Sequence, residues 1–547
     1  MSTKILPKSQ NVYEYPLLIK RVLEQSLKYE PKNEIVYRDV TRYNYFDLNS
    51  RIRKLANALT KLGITAGDTV AVIDFDSPGY LELYFAVPMI GAILHTINYR
   101  LSPSQVLYTI NHAEDKVIFT HTDFLPLIEG ISKEMSSVEK IVAMTDYKEL
   151  PESSVNIFGK YEELLSKEDD EYDFPDFDEN SVATIFYTTG TTGNPKAVYF
   201  SHRQLVLHTL GLAASLGSYD SVCRFRSNDV YMPITPMFHV HAWGIPYLAT
   251  MLGVKQIYPG RYEPAMLLKL LVTEKVTFSH CVPTILHMLV NSPAVKTVDL
   301  SNWKVVIGGA ALPSGLARKT LELGIDVITG YGLSETCPVL TLTYLNEKQK
   351  SLPIEEQVKV RTKAGIPVPL VDLKIVDEEG KTLPHDGKSV GEIVVRAPWL
   401  TEGYFKEPGK SEELWTGGFL HTGDVAFIDE NNFVKITDRI KDVIKTGGEW
   451  ISTLELENLI SKHSAVNEVA VVGIPDEVWT ERPHAMIVLK EGETADKNDI
   501  QDFLQQFVQN GTISKWTVPE SISFVSAIPK TSVGKIDKKK IRNDLKK

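Results

Sequence analysis

The segment from Tyr187 to Lys196 holds the highest density of side chains suited to chemistry, with four threonines, two glycines and one lysine. Glycines let backbone N–H groups turn toward an anion, threonine hydroxyls add donors, and lysine brings a mobile positive charge. This composition predicts a cradle for a triphosphate. The spacing G-x-x-G-x-x-K differs from that of a Walker A loop. The alternative interpretation is a polar surface turn.

A second motif, GYGLSET, runs from Gly330 to Thr336 and follows an apolar strand. Glycines on both sides of Tyr331 permit a flat ligand such as a purine to approach the ring closely. The carboxylate of Glu335 is suited to hold Mg²⁺ through a phosphate or a water. A tight turn that carries a surface glutamate is the competing interpretation.

Three later motifs are weak when each is taken alone. Asp424, next to a glycine in HTGDVA, is suited to accept two ribose hydroxyls, although Asx-type turns have the same composition. The charges of DRIKDVIKTGGE, residues 438–449, are compatible with a solvated surface. The lysine of PKTSVGKID, residues 529–537, is unremarkable by itself.

The elements that must position these motifs follow from apolar periodicity. Apolar runs at Val182–Phe186 and Ala197–Phe200 flank the Thr/Gly loop, which favours strand–loop–strand over strand–loop–helix. Earlier, a helix is predicted at Pro78–Ile90 between strands at Val70–Asp74 and Ala92–Ile97. This alternation predicts an α/β fold with parallel, helix-covered sheets.

The pattern changes toward the C-terminus. Short strands and dense turns over 364–437 predict a small β-rich subdomain, and residues 442–547 read as a compact α+β region. The predicted organisation is an N-terminal domain over 1–437, a hinge at 438–441 and a smaller C-terminal domain. The acidic stretch 168–180 is expected to be a solvated linker, and the lysine-rich chain end an exposed helix and tail.

Composition excludes several classes of function. The 547 residues, 43% of them hydrophobic and 24% charged, imply a globular chain of two or more domains. A net charge of −11 argues against bulk binding of nucleic acid or anionic membrane. Three widely spaced cysteines form neither a disulfide framework nor a CxxC metal site. There is no apolar signal core and no run of about 20 apolar residues, so we expect a soluble cytoplasmic protein.

Taken in order, the five motifs resemble the adenylate-forming (AMP-binding) superfamily, which includes acyl- and aryl-CoA synthetases, luciferases and peptide-synthetase adenylation domains. The resemblance covers nearly the whole chain, and residues 95–115 and 236–247 are most similar to bacterial and archaeal medium- and long-chain acyl-CoA synthetases. It implies a large adenylation domain and a mobile C-terminal domain. It also implies use of ATP, Mg²⁺ and coenzyme A, and a homodimer. The match rests on YTTGTTGNPKAV, GYGLSET, HTGDVA, DRIKDVIKTGGE and PKTSVGKID.

The resemblance assigns roles residue by residue. Contacts to the β- and γ-phosphates fall on Thr188, Thr189, Gly190, Thr191, Thr192, Gly193 and Lys196. Gly309 and Ala310 would flank adenine and the acyl group, and Tyr331 would stack on adenine. Ser334 would contact the α-phosphate, Glu335 would bind Mg²⁺, and Asp424 and Arg439 would bind ribose. Lys535 is implied to be the adenylation lysine, Lys441 the hinge residue where many relatives carry aspartate, and Gly447 and Gly448 the lining of a pantetheine tunnel.

Three residues are implied to shape the acyl pocket. His239 lies beside it, and Trp243 matches a tryptophan that gates the tunnel in long-chain enzymes, with a core tryptophan as an equal alternative. Acetyl-CoA synthetases close the pocket with a tryptophan where this chain has Gly332, which predicts open volume for longer chains; a requirement of the backbone turn is the alternative. On a strand, His239 and His241 would face the same way and could bind a metal together, but this is disfavoured because no third ligand has an obvious spacing.

These inferences predict an AMP-forming acyl-CoA ligase for a medium- to long-chain acid, plain or hydroxylated. The carboxylate would attack the α-phosphorus of ATP, while Lys196, Lys535 and Mg²⁺ offset the negative charge that accumulates. A thiol would then attack the acyl-adenylate. The rivals are a luciferase-like oxidoreductase and a non-catalytic nucleotide-binding protein. A P-loop NTPase is disfavoured by the loop spacing.

Overall fold

The computed structural model describes residues 3–188, 194–446, 449–476, 478–531 and 535–545. It has the α/β architecture predicted from the sequence, with parallel sheets and covering helices in a large N-terminal part and a smaller α+β part after it. Within the described ranges, no helix is both long and apolar enough to cross a lipid bilayer.

The first sheet carries the Thr/Gly loop. Its strands are parallel except at one edge, where Lys196–Ser201 runs antiparallel to Val182–Thr188. Parallel neighbours require long crossovers, which accounts for the helices between consecutive strands. In spatial order the strands are Ile157–Lys160, Lys140–Met144, Asp115–His121, Thr69–Ile73, Ile93–Thr96, Val182–Thr188 and Lys196–Ser201.

The second sheet carries GYGLSET. Its strand Asp326–Gly332 is parallel to Lys304–Ile307 and antiparallel to Val339–Leu342, and the second pairing shifts register between Tyr331 and Gly332. Such a shift bends the strand end and re-aims its side chains. In spatial order the strands are Ile366–Pro367, Val339–Leu342, Asp326–Gly332, Lys304–Ile307, Phe278–Cys281, Val230–Pro233, Lys255–Tyr258, Glu34–Tyr37 and Thr41–Asn44.

One helix joins the two sheets into a common core. Pro78–Met89 contacts strands of both sheets, and every residue from Tyr80 to Met89 is buried. A helix that is apolar on all faces lies inside a protein. The one acidic residue of this helix, Glu82, is paired with Arg51 at 2.7 Å. The other N-terminal helices of six or more residues are Lys20–Tyr29, Tyr45–Lys61, Pro103–Ala113, Leu125–Ile131, Tyr161–Ser166, His202–Ala213, Ile245–Met251, Pro264–Thr273, Pro283–Val290, Ser314–Glu322, Ile354–Arg361 and Pro408–Leu414.

The short strands predicted between 364 and 437 are present and form an antiparallel sheet. They are Asp372–Val376, Gly391–Arg396, Phe419–Ile428 with Trp415–Thr416 at its side, and Val434–Arg439. The C-terminal part has its own sheet and a separate apolar core. Its strands are Ile444–Thr446, Glu449–Ile451, Val466–Asp476, Thr480–Leu489 and Ser521–Phe524, and its helices are Thr453–Ile460, Lys497–Gln509 and Lys538–Leu545.

Two sequence expectations hold only in part. The acidic stretch 168–180 has no helix or strand and is exposed over most of its length, as expected for a solvated linker. It is also tied to the N-terminal part, because the Lys20 ammonium donates to the carbonyl of Phe174 at 2.7 Å and pairs with Asp176 at 2.8 Å, and because Tyr172 and Phe174 pack against the main core. The predicted terminal helix is present, but only one side of it is exposed, since Ile541 is fully buried and docks it on the C-terminal sheet.

Candidate active site

The two ends of the Thr/Gly loop meet in the structure. Thr188 pairs with Lys196 across the antiparallel strands, and the Thr188 hydroxyl donates to the Lys196 carbonyl at 3.4 Å. The strand–loop–strand prediction is therefore confirmed. Thr189, Gly190, Thr191, Thr192 and Gly193 lie outside the described residues, so their predicted phosphate contacts stay predictions.

Tyr404, a residue outside all of the sequence motifs, contacts both Lys196 and Glu335. Glu335 lies in the short helical turn Ser334–Thr336, directly after the strand that carries Tyr331. The Tyr404 hydroxyl donates to Glu335 Oε1 at 2.8 Å, and the Lys196 ammonium sits 4.4 Å from the centre of the Tyr404 ring. Burial and the Glu335 carboxylate raise the pKa of Tyr404, so its hydroxyl stays protonated and remains a donor.

The predicted adenine and ribose residues form one hydrogen-bonded group. The Tyr331 hydroxyl donates to Asp424 Oδ2 at 2.8 Å, and Arg439 Nε donates to Asp424 Oδ1 at 3.0 Å. Asp424 and Arg439 face each other directly across the strands Phe419–Ile428 and Val434–Arg439. Pairing across a sheet explains how two motifs fifteen residues apart reach one site.

The C-terminal part delivers Lys535 to the same region. A bridge between Lys530 and Ile536 makes a hairpin, and the Lys535 backbone N–H donates to the Thr531 hydroxyl at 3.2 Å. The Lys535 Cε atom lies 3.2 Å from the position that a Cβ on Gly309 would take. Burial, together with the nearby Arg439 guanidinium, lowers the pKa of Lys535 to about 8.

Gly309 suits this contact for two reasons. Its φ of +75° lies in the left-handed region that favours glycine, and a side chain there would meet Lys535. Ala310, next in the turn, is exposed, and Ser334 is partly buried at the start of the turn that holds Glu335. The structure therefore gathers Gly309, Lys535 and the Tyr331 group around one region between the two parts of the chain.

The segment that carries the two histidines is a left-handed turn rather than a strand. Residues Val240 to Trp243 all have positive φ, between 47° and 60°, and Gly244 follows at 73°. Non-glycine residues in this conformation store strain of roughly 1 to 2 kcal/mol each, and such strain clusters at functional sites. His239 and His241 do not share one strand face. Within the described ranges, no group of three His, Cys, Asp or Glu side chains is placed to hold a metal.

The turn points its side chains in different directions. Burial, with Lys535 and Arg100 nearby, lowers the pKa of His239 to about 3, so this histidine is neutral near pH 7. The Trp243 ring lies 3.0 Å from where a Cβ on Gly308 would be, next to the turn that meets Lys535. His241 is enclosed by aromatic rings, among them those of Phe186 and Tyr247. His239 and Trp243 thus lie near Lys535 and the Gly308–Gly309 turn, and their contact with an acyl group stays a prediction.

Gly332 does not provide open volume. A Cβ at this position would lie 1.7 Å from the Pro338 carbonyl oxygen, a distance that no side chain can occupy. The open-volume interpretation is wrong, and the alternative, a requirement of the backbone, agrees with the structure. The register shift after Tyr331 brings the two backbones this close.

The segment 438–441 connects the two parts of the chain. Asp438 is buried, and its Oδ2 accepts from the backbone N–H and the hydroxyl of Thr453 at 2.7 Å and 2.6 Å, which ties it to the first helix of the C-terminal part. Lys441 is exposed in the turn that follows Arg439. Gly447 and Gly448 lie outside the described residues.

The residues present fit a magnesium ion held mainly by phosphates. Mg²⁺ prefers hard oxygen ligands and is commonly bound through one or two carboxylates plus the phosphates of a substrate. Glu335 offers one carboxylate, whose Oε1 accepts a hydrogen bond from the Tyr404 hydroxyl. Glu335 would hold the ion, which would supply positive charge to phosphate oxygens.

The chain is similar to known proteins in both sequence and structure. The family described as AMP-binding enzyme matches residues 23–405, and the AMP-binding enzyme C-terminal domain matches residues 455–535. The chain is 41% identical over 535 residues to a long-chain-fatty-acid–CoA ligase of Thermus thermophilus, covering 96% of this chain and 95% of that protein. It is 38% identical over 538 residues to a 3-methylmercaptopropionyl-CoA ligase of Ruegeria lacuscaerulensis, covering 97% and 98%. The crystal structure of an anthranilate CoA ligase in complex with anthranoyl-AMP matches with a TM-score of 0.84 at 25% identity, covering 97% of this chain and 98% of that one.

Proposed function

The chain belongs to the AMP-binding enzyme family, whose relatives above are CoA ligases, and we propose that it activates a medium- to long-chain carboxylic acid, plain or hydroxylated. The acid is joined to coenzyme A through an acyl-adenylate. The observation that carries the proposal is the position of Lys535, which comes from the C-terminal part and lies against Gly309 of the N-terminal part. A lysine brought in from another domain suits a step in which negative charge accumulates.

The first step joins the acid to AMP. A carboxylate oxygen attacks the α-phosphorus, the bond to the β-phosphate oxygen breaks, and pyrophosphate leaves. Lys196 and Lys535 are proposed to offset charge on the phosphates and on the α-phosphoryl group. The Tyr331, Asp424 and Arg439 group is proposed to orient adenine and ribose, because its hydrogen bonds fix all three side chains before the nucleotide binds.

The second step needs a different arrangement of the chain. The thiol sulfur of coenzyme A attacks the acyl carbonyl, the acyl–phosphate bond breaks, and AMP leaves. In the structure Lys535 occupies the Gly309 turn. The loop at 447–448 belongs to the same C-terminal part and is proposed to line the pantetheine path. We propose that rotation of the C-terminal part about 438–441 removes Lys535 from the Gly309 turn and brings the loop at 447–448 to the site, a hinge motion of the kind seen in other enzymes.

The acid is the finer part of the proposal. One relative is named for long-chain fatty acids, while another is named for 3-methylmercaptopropionate, a short acid with a thioether. Family membership therefore leaves chain length open. Trp243 stands against the Gly308–Gly309 turn and His239 lies near Lys535, which supports the proposal that both contact the acyl group close to its carboxylate.

A substrate screen tests the proposal. Acids from C2 to C16, plain, hydroxylated and thioether-bearing, are each assayed for AMP formation with and without coenzyme A. Medium or longer acids are expected to give the highest kcat/KM. A preference confined to acetate would contradict the proposal, AMP formation that consumes O₂ would indicate a luciferase-like reaction, and nucleotide binding without turnover would indicate a sensor.

The variant Trp243→Ala separates a gate from a core residue. A gating side chain predicts a changed preference among chain lengths with a nearly unchanged melting temperature. A core side chain predicts a loss of roughly 3–5 kcal/mol in stability with the preference retained. Trp303→Ala, at a fully buried tryptophan in a separate apolar cluster of the N-terminal part, is the matched control for loss of a core indole.

A further inference from the structure

Tyr404 contacts two residues of opposite charge, Lys196, which is proposed to act on the phosphates of ATP, and Glu335, which would hold their Mg²⁺. Its hydroxyl donates to Glu335 Oε1 at 2.8 Å, and its ring face carries the Lys196 ammonium at 4.4 Å. The residue is 8% exposed, so these contacts are made with little competition from water. Within the described ranges, no ion pair joins Lys196 to Glu335.

The backbone around Tyr404 is fixed to both partners. On one side the Thr401 N–H donates to the Glu335 carbonyl at 2.9 Å. On the other side the Phe405 N–H donates to the Ala197 carbonyl at 3.0 Å, and Tyr404 itself bridges to Val198. Segment 401–405 therefore joins the strand of Lys196 to the turn of Glu335. This sets the distance between elements that belong to different sheets.

We infer that Tyr404 is a positioning residue that holds the Glu335 carboxylate by its hydroxyl and the Lys196 ammonium by its ring, and so keeps these charges from pairing with each other. This inference rests on the proposed function, in which both groups act on the phosphates of ATP. A lysine on an aromatic face is held by a weak attraction to the ring. A lysine in a direct ion pair with a carboxylate would have to break that pair before it reached a phosphate.

The hydroxyl and the ring of Tyr404 have different roles, which two substitutions can separate. Removing the hydroxyl frees the carboxylate but keeps the ring between the charges. Removing the ring as well lets Lys196 and Glu335 approach. Both changes affect groups directed at the β- and γ-phosphates, which ATP has and AMP lacks. The affinity for ATP should fall while the affinity for AMP is retained, a contrast that general damage to the site would not produce.

Equilibrium binding of ATP, with Mg²⁺, and of AMP, measured by calorimetry without acid or coenzyme A, tests the inference. Tyr404→Phe is expected to weaken ATP binding about tenfold, the usual scale for a hydrogen bond to a charged group, and Tyr404→Leu to weaken it further. AMP binding should change by less than about twofold for either variant. The control Tyr45→Phe removes the hydroxyl of a fully buried tyrosine in the same part of the chain and should change neither.

A double-mutant cycle shows whether Tyr404 acts through Glu335. In a Glu335→Gln background, Tyr404→Phe should have little further effect on ATP binding, because the carboxylate that the hydroxyl holds is gone. Equal losses for ATP and AMP, or a Tyr404→Phe effect that is fully additive to Glu335→Gln, would overturn the inference. Because no acid or thiol is present, a failure of the proposed ligase reaction would leave these results unchanged and would be recognised separately.

Discussion

Lys535 and Gly309 come from different parts of the chain and lie side by side: the lysine Cε is 3.2 Å from the position that a Cβ on Gly309 would take. The contact requires the C-terminal part to be folded over the N-terminal part. It places an ammonium within the electrostatic influence of Asp424, Glu335 and Arg439. This position of Lys535 agrees with the role proposed for it in the first step, in which the α-phosphoryl group and a carboxylate would both need a cation.

Replacement of the lysine should separate the two steps. Lys535→Ala removes one preorganised donor, a change that typically costs about 10²–10³ in rate, and we expect that loss in acid-dependent exchange between ATP and pyrophosphate. Acyl-AMP supplied directly should still react with coenzyme A at a near-normal rate. Lys530→Ala, in the same hairpin but paired with Glu468 at 2.9 Å, is the control and should leave both steps intact. An equal fall of both steps in Lys535→Ala would disprove the assignment.

The adenylation step should lose activity in mild alkali. Burial, then the Arg439 guanidinium, lowers the pKa of Lys535 to about 8, and the charged form exists below that value. The kcat/KM for ATP, which reports on the free enzyme, should therefore be level below about pH 8 and fall above it. The side chain of the Lys535→Arg variant stays protonated, so the kcat/KM of this variant should not fall at alkaline pH, although its plateau value should be lower. An alkaline limb that persists in the arginine variant would assign it to another group.

A side chain at position 309 should displace the lysine. In Gly309→Ala the new methyl group would lie 3.2 Å from Lys535 Cε and 3.3 Å from Val282 Cγ1, on a backbone with φ of +75°. We expect adenylation to slow by about ten- to a hundredfold, the scale seen when reacting groups are misplaced by an ångström. Gly315→Ala, where nothing lies within 4 Å, is the matched control and should keep full activity. Unchanged adenylation in Gly309→Ala would show that the contact is irrelevant to the step.

Stiffening the connection between the two parts should affect the thioester step most. Lys441→Pro fixes φ near −65° in the turn that follows Arg439, and we expect slower conversion of acyl-AMP to acyl-CoA with less effect on adenylation. The Lys441→Ala variant removes the same side chain and leaves the backbone free, so it separates the two contributions. Stopped-flow measurements of each half-reaction provide the comparison. If neither half-reaction changes in the proline variant, the hinge lies elsewhere.

Two of the motifs could be located because each lies at the end of a strand that apolar periodicity marks. The Thr/Gly loop follows Val182–Thr188, and Tyr331 lies near the end of Asp326–Gly332. Asp424 lies in the middle of Phe419–Ile428, a strand that the sequence pattern did not mark, and its pairing with Arg439 is visible only in the structure. Apolar periodicity also predicted the α/β class and the helix near Pro78.

What the sequence did not reveal depends on contacts between distant segments. Tyr404 carries no pattern that marks it, and its role is visible only where residues 401–405 meet Ala197 and Glu335. Four consecutive non-glycine residues with positive φ, Val240 to Trp243, have no propensity signal because tertiary packing imposes the conformation. Gly332 was misjudged for a related reason, since the backbone that excludes its side chain is six residues away.

The most direct test of the central claim follows oxygen atoms. A substrate acid labelled with ¹⁸O in its carboxylate is converted to the acyl-CoA, and the nucleotide product is analysed by mass spectrometry. When the carboxylate attacks the α-phosphorus, one of its oxygens becomes the bridge between the acyl group and the phosphate. When sulfur then attacks the acyl carbon, AMP leaves and keeps that bridging oxygen. We predict AMP that carries one ¹⁸O, with unlabelled pyrophosphate. Unlabelled nucleotide with ¹⁸O in inorganic phosphate would show activation through an acyl phosphate and would contradict the adenylation chemistry proposed for this site.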